Sequence, residues 1–299
     1  MNCQKENLLY KLSDLNIDRA KGAAPHKPLL LLCLLEIAEE GGLTQDIMPV
    51  TGELAFRFAS YWSVVAHRRP QRPEIKLPLF HMKSDGFWQP LDDAMNPLKY
   101  RDLPTFIRFT PEFFAAINNS AFRTKARALI IRTYFEPHEQ IALWTLSGET
   151  APPTDSPITA DLPVDPEAVE RGREGRFRIG VVTAYDYTCA LTGYRFVTLY
   201  AGTIVDAAHI HPFAASRNND PDNGLALSKN AHWLFDNGLW SIENDYTVIT
   251  ADRHFAESGD AALLLTAMKG RQISLPNNQK FWPARKHLEW HRNHTFLGD

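Results

Sequence analysis

The spacing of apolar positions changes along the chain, and each change predicts an element. In KPLLLLCLLEIAEEGG the apolar run opens near Pro28 and stops at Gly41 and Gly42, the punctuation of a buried helix. Leu54, Phe58, Tyr61, Trp62 and Val65 then recur on one stripe, so a second helix is expected over residues 52–66. In LPLFHMKSDGFWQPL two aromatic runs flank SDG and predict a hairpin. TPEFFAAINN, with its Thr-Pro start at Thr110, and AFRTKARALIIRTYF read as two more helices. Further on, EAVERGREGRFRIGVVTAYD predicts a helix ending near Tyr185, and the β-branched RFVTLYAGTIVDAAHI predicts two short strands. A polar loop leads to NGLALSKNAHWLFDNG, expected as a helix stopped by Asn237 and Gly238. LWSIENDYTVIT closes as a hairpin over Asn244 and Asp245. The local order is strand, strand, loop, helix.

Between the two halves lies SGETAPPTDSPITADLPVDP, rich in Pro, Ser, Thr and Asp and without apolar period, which reads as an exposed linker. At 299 residues the chain is long enough for two cores, giving an expected division into residues 1–146, a linker at 147–166, and residues 167–299. A hydrophobic content of 44% with 22% charged residues is that of a globular protein, and no apolar run is long enough for a membrane span. Cys3, Cys33 and Cys189 are odd in number and form no CxxC pair, which argues against a disulfide framework and a cysteine zinc site. A reducing cytoplasm is the expected location. The net charge of −3 offers no global attraction to nucleic acid, so any DNA contact must come from local patches. HRRPQRPEIK, with Arg68, Arg69, Arg72 and Lys76, is one candidate. DPEAVERGREGRFR, with Arg171, Arg173, Arg176 and Arg178, is another, against the alternative that each is a solvated face.

Candidate chemistry centres on KNAHWLFDNG, where His232 and Asp236 are four apart and share one helix face at metal-ligand spacing. Alone, such a pair is more often a surface hydrogen bond. Its neighbours change that: His209 ends a strand in AAHIHP, Asn223 follows in PDNGLALS, and His232 comes next on the helix. CALTG, AAHIHP, DNGLALS and HWLFDNG in this order resemble the HNH nucleases with their ββα-metal fold, and in particular the restriction-type branch. ISLPNN and PARKHLEWHRNHTF resemble the tail of that branch.

The resemblance implies a phosphodiester hydrolase with one divalent ion, Mg²⁺ or Mn²⁺, with Ni²⁺ or Zn²⁺ also able to bind. It assigns the general base to His209, loop organisation to Asn223 and metal binding to His232, with Asp236 as the natural second ligand. Many relatives carry Asp or His directly before the base, whereas this chain has Ala208. Asp206, two residues back on the same face of an extended strand as Ala208, is the expected third ligand. His211 is read as a loop imidazole facing phosphate or solvent. Cys189, Trp233 and Phe235 are read as packing residues; His287, His291 and His294 have the spacing of ligands but are read as a polar helix face.

The first half, through HKPLLLLCLLEIAEEG, the basic loop, LPLFHMKSDGFWQPL and ALIIRTYFEP, resembles the sulfur-recognising domain of McrA-like, phosphorothioate-dependent restriction enzymes. That resemblance places His67 and Arg68 as a basic pair on DNA, with Arg69 and Arg72 adding contacts and Tyr100 and Pro104 walling an apolar pocket. DDAMNPLKYRDLPTF departs from the Tyr-Pro pocket motif, which puts sulfur in doubt as what is read.

The expected fold is therefore α+β: a mainly helical DNA-recognition domain with a small hairpin, then a ββα-metal HNH nuclease domain. The expected function is a host-defence endonuclease acting on modified double-stranded DNA, with a homodimer suited to cutting both strands. Two alternatives stand beside it: an HNH restriction enzyme reading methylated or unmodified sequence, and a non-catalytic DNA-binding protein with a decayed nuclease.

Overall fold

The computed structural model describes residues 2–20, 22–68, 72–148, 165–200 and 202–298. Arg69 and most of the expected linker, 149–164, lie outside the described residues. The chain divides into two compact units: Met1–Arg176 with Thr198–Gly202, and Phe177–Val197 with Thr203–Asp299.

The first unit holds α1 (Asn2–Ser13), α2 (His26–Glu39), β1 (Ile47–Pro49), α3 (Gly52–Trp62), α4 (Lys76–His81), β2 (Trp88–Leu91) and β3 (Phe106–Phe109). It continues with α5 (Pro111–Ile117), α6 (Ser120–Tyr134), α7 (Pro137–Leu146) and the first part of α8 (Pro166–Ala184). α2 is apolar on every side because it is packed on every side: α3, α4 and α6 surround it, and Leu29 to Leu35 are all buried. Its charged C-terminal end is neutralised by Arg57, 2.8 Å from both Glu36 and Glu40, and by Arg127, 2.5 Å from Glu39.

The stripe from Leu54 to Val65 is buried as expected, although the α-helix ends at Trp62 and a 3₁₀ turn carries Ser63–Val65. The expected hairpin over SDG does not form. LPLFH is helical in α4, Met82 opens a 3₁₀ turn, and WQPL instead pairs as β2 with β3, in an antiparallel sheet of order β1-β3-β2. The buried set Ile75, Leu79 and Met82 has helical spacing, which the density of aromatic residues around SDG obscured.

The rest of α8 belongs to the second unit, and β4 (Val197–Thr198) and β5 (Gly202–Thr203) each have one residue in either unit. Then come β6 (Val205–His209), α9 (Phe213–Ser216), β7 (Gly224–Ser228), α10 (Lys229–Asp236), β8 (Trp240–Ile242), β9 (Val248–Thr250) and α11 (Arg285–His294). GLALS, expected as the start of a helix, is strand β7, antiparallel to β6 with His209 opposite Gly224. Its residues Leu225, Ala226 and Leu227 are fully buried on both faces, and so short an apolar run has no period that separates strand from helix. Gly224 is required by close approach: a Cβ there would meet the Phe177 ring at 2.9 Å. β8 and β9 form the expected hairpin.

Three packing expectations need correction. Trp233 is 61% exposed, while Phe235 is buried. His287 and His291 are buried rather than part of a polar face, because α11 packs against β8. His211 stacks on Trp290, with ring centroids 4.1 Å apart. No helix among the described residues is long and apolar enough to cross a membrane.

Candidate active site

β6 ends at His209, β7 returns beside it, and α10 begins directly after β7, so strand end and helix face one another within about forty residues of sequence. A cavity of about 390 Å³ lies between them, lined among others by Ala207, His209, His232, Asp236 and His291. His232 Nε2 stands 3.3 Å from Asp236 Oδ2, the juxtaposition that i,i+4 spacing requires. Burial holds the Asp236 carboxyl above its ordinary range, against the opposing pull of the His232 and His209 imidazoles.

His209 lies flat on the ring of Phe177, centroids 3.9 Å apart and planes within 10°. Its Nε2 is 2.8 Å from Asn219 Oδ1, so an Nε2–H donating to that amide oxygen leaves Nδ1 as the proton-accepting nitrogen. Asn223 is wholly buried. Its Oδ1 accepts from the His211 backbone N–H at 2.9 Å, and its Nδ2 donates to the carbonyls of His211 at 2.9 Å and Asn218 at 3.0 Å. One amide thus ties both ends of the loop after His209, and the Ile210 N–H donates to the Asn223 carbonyl at 2.9 Å.

Asp206 is not brought to this cavity. Alternation along β6 puts Ala207 and His209 on the cavity face and Asp206 on the other, where its Oδ1 accepts from Arg178 Nε at 2.6 Å. The same alternation buries Ala208 away from the cavity, so neither position supplies a third ligand. Sequence reasoning missed Asn219 and Phe177, whose positions in a polar loop and mid-helix carry no periodic signal. His291, expected on a polar helix face, instead stacks its ring on Phe235 at 3.7 Å and bonds to Ser241 Oγ at 2.8 Å. Burial drives the His291 imidazole down to about 4, so it is neutral near pH 7.

In the first unit, Arg68 donates from Nε and Nη2 to the two carboxylate oxygens of buried Glu139, at 2.6 and 2.9 Å, and from Nη1 to the Ala23 carbonyl. Its guanidinium is therefore committed within the unit. His67 stands beside His138. Arg72 is exposed, and Arg69 lies outside the described residues. Tyr100 is 82% exposed and Pro104 is buried; neither lines a 260 Å³ cavity of this unit, whose lining includes Asp18, His26, Lys27, Leu77, Pro78 and His81.

A His at a strand end, a buried Asn bracing the following loop and a His–Asp pair on the next helix are brought together by one strand-strand-helix unit. Residues 189–243 match the sequence model of the HNH endonuclease family, and the chain carries an HNH endonuclease domain. Among solved structures, a modification-dependent TagI restriction endonuclease aligns at 20% identity and a TM-score of 0.29, over 40% of this chain and 36% of that one. The sulfur-binding domain of SprMcrA, complexed with phosphorothioated DNA, aligns at 17% identity and a TM-score of 0.40, over 48% of this chain and 93% of that one. The chain thus spans about a third of the TagI length. No curated protein matches the chain.

Proposed function

We propose that this protein is a modification-dependent DNA endonuclease in which the first unit selects the duplex and the second hydrolyses its phosphodiesters. The observation that carries the nuclease half of this reading is the cavity onto which His209, His232 and Asp236 converge. His209 takes a proton from the attacking water at Nδ1 while Asn219 holds the opposite side of the ring. Asn223 keeps the loop, and with it the base, in one geometry.

The His232 imidazole and the Asp236 carboxylate form a donor set that fits a divalent ion such as Mg²⁺ or Mn²⁺ with the remaining positions open to water and phosphate. Bound there, the ion supplies positive charge against the phosphoryl oxygens and the leaving 3′ oxygen. The products are 5′-phosphate and 3′-hydroxyl ends. One such cavity per chain favours two copies acting on the two strands.

The selection half rests on the resemblance of about residues 5–145 to sulfur-recognising domains, and the 260 Å³ cavity lined in part by His26, Lys27, Leu77 and Pro78 is its candidate pocket. The test is cleavage of one duplex, with and without stereodefined phosphorothioate links, by the purified protein in Mn²⁺ or Mg²⁺. Cutting confined to the sulfur-containing duplex is the expected result. Equal cutting of both overturns the sulfur reader and leaves the nuclease.

A further inference from the structure

The first unit contains a cluster that the nuclease reading does not use. His67 follows the 3₁₀ turn Ser63–Val65, and His138 and Glu139 stand in the first turn of α7. His67 Nε2 is 3.1 Å from His138 Nε2 and 3.6 Å from Glu139 Oε1. One ligand atom from each of the three residues lies within 4.8 Å of the others.

The hydrogen bonding around the rings determines what lies between them. His67 Nδ1 is 3.2 Å from the Val64 carbonyl, which accepts only, so Nδ1 carries the proton and Nε2 the lone pair in the neutral ring. His138 Nδ1 faces the Glu136 carboxylate at 3.8 Å, which favours the same tautomer. Two lone-pair nitrogens and a carboxylate oxygen therefore point at one another. The Glu139 oxygen already accepts from Arg68 Nε, whereas the two facing nitrogens both present lone pairs and repel unless a cation sits between them.

We propose that this cation is a divalent transition-metal ion of the Zn²⁺ class, bound by His67 Nε2, His138 Nε2 and Glu139 Oε1. Nitrogens about 2.0–2.1 Å from a common tetrahedral ion are about 3.3 Å apart, close to the spacing found here. The outer groups are those that metal-bound residues ordinarily have: a carbonyl behind one imidazole and a carboxylate behind the other. Glu139 is fully buried and its carboxylate is held by Arg68 and, at 3.0 Å, by the Glu136 backbone N–H, so the oxygen donor is fixed before an ion arrives. The side chains of His67 and His138 are 45% and 34% exposed, which gives the ion an entry and leaves a fourth position for water. The ion ties the start of α7 to the turn that carries Arg68.

The test uses the full chain, stripped with chelator and titrated with Zn²⁺ by calorimetry and with Co²⁺ by visible absorption. Wild type is expected to bind one Zn²⁺ equivalent more than His67→Ala or His138→Ala, and to show a four-coordinate Co²⁺ band that both variants lose. His232→Ala is expected to keep that band, which separates this ion from one in the nuclease cavity. His138→Gln, checked by circular dichroism, serves as the second variant if truncation unfolds the chain. Equal Zn²⁺ stoichiometry and equal Co²⁺ spectra in wild type and a folded His138 variant would mean a shared proton only, and the proposal fails.

Discussion

The two histidine–carboxylate clusters of this protein are built in opposite ways. In the second unit, His232 and Asp236 come from one turn of one helix, are partly exposed, and face a cavity large enough for substrate atoms. In the first unit, His67 meets His138 and Glu139 across 71 residues of sequence, and the carboxylate is buried and already bound by an arginine. The first arrangement leaves both side chains open toward the cavity. The second spends its carboxylate on holding two elements together.

The comparison breaks most visibly at the base. His209→Ala is expected to lower cleavage by about 10²–10⁴-fold through loss of proton transfer, in a chain that circular dichroism shows to be folded. Comparable cleavage by wild type and variant would remove His209 from the chemistry. The reverse pattern is expected for Glu139→Ala: the partly buried Arg68 loses its counter-charge, costing about 3–5 kcal/mol in denaturant unfolding. A loss under about 1 kcal/mol would show that this carboxylate is no keystone.

Acid sharpens the contrast further. His291 is held neutral in the folded second unit and titrates at about 4, below its unfolded value of about 6.5. Between those values the unfolded chain binds a proton that the folded chain refuses, so stability falls as pH drops through this window and levels off below it. The loss amounts to about 3 kcal/mol at the acid end, and replacing His291 with Gln is expected to flatten the curve. The smallest effect belongs to Asp206→Asn. With its partner Arg178 half exposed, the pair contributes less than about 1 kcal/mol, and Mn²⁺-dependent cleavage is expected to stay at the wild-type rate. A large rise in the Mn²⁺ requirement would return Asp206 to the ion.

How far the sequence could be read follows from where each signal is stored. The long helices, the β8–β9 hairpin and the His232–Asp236 pair are local, and period or spacing over a few residues reveals them. GLALS was misread because a run buried on both faces has no period, and the hairpin over SDG because β2 pairs with a strand fifteen residues beyond its own end. Asp206 was placed on the right face relative to Ala208; the error lay in which face of β6 looks into the cavity, a property of how β6, β7 and α10 pack. Asn219, Phe177 and the His67–His138–Glu139 cluster exist only through tertiary packing, which no window of residues contains.

The Glu139 carboxylate is shared between the start of a helix and the end of a distant loop, and this limits what can be exchanged between relatives. Moving the basic loop around Arg68 into another scaffold without Glu136 to Glu139 delivers an arginine with nothing to aim it and a carboxylate-sized void of charge at its base. The transplantable unit is not the loop but the loop together with a helix turn some seventy residues away. A change at Arg68 therefore calls for a matching change at Glu139.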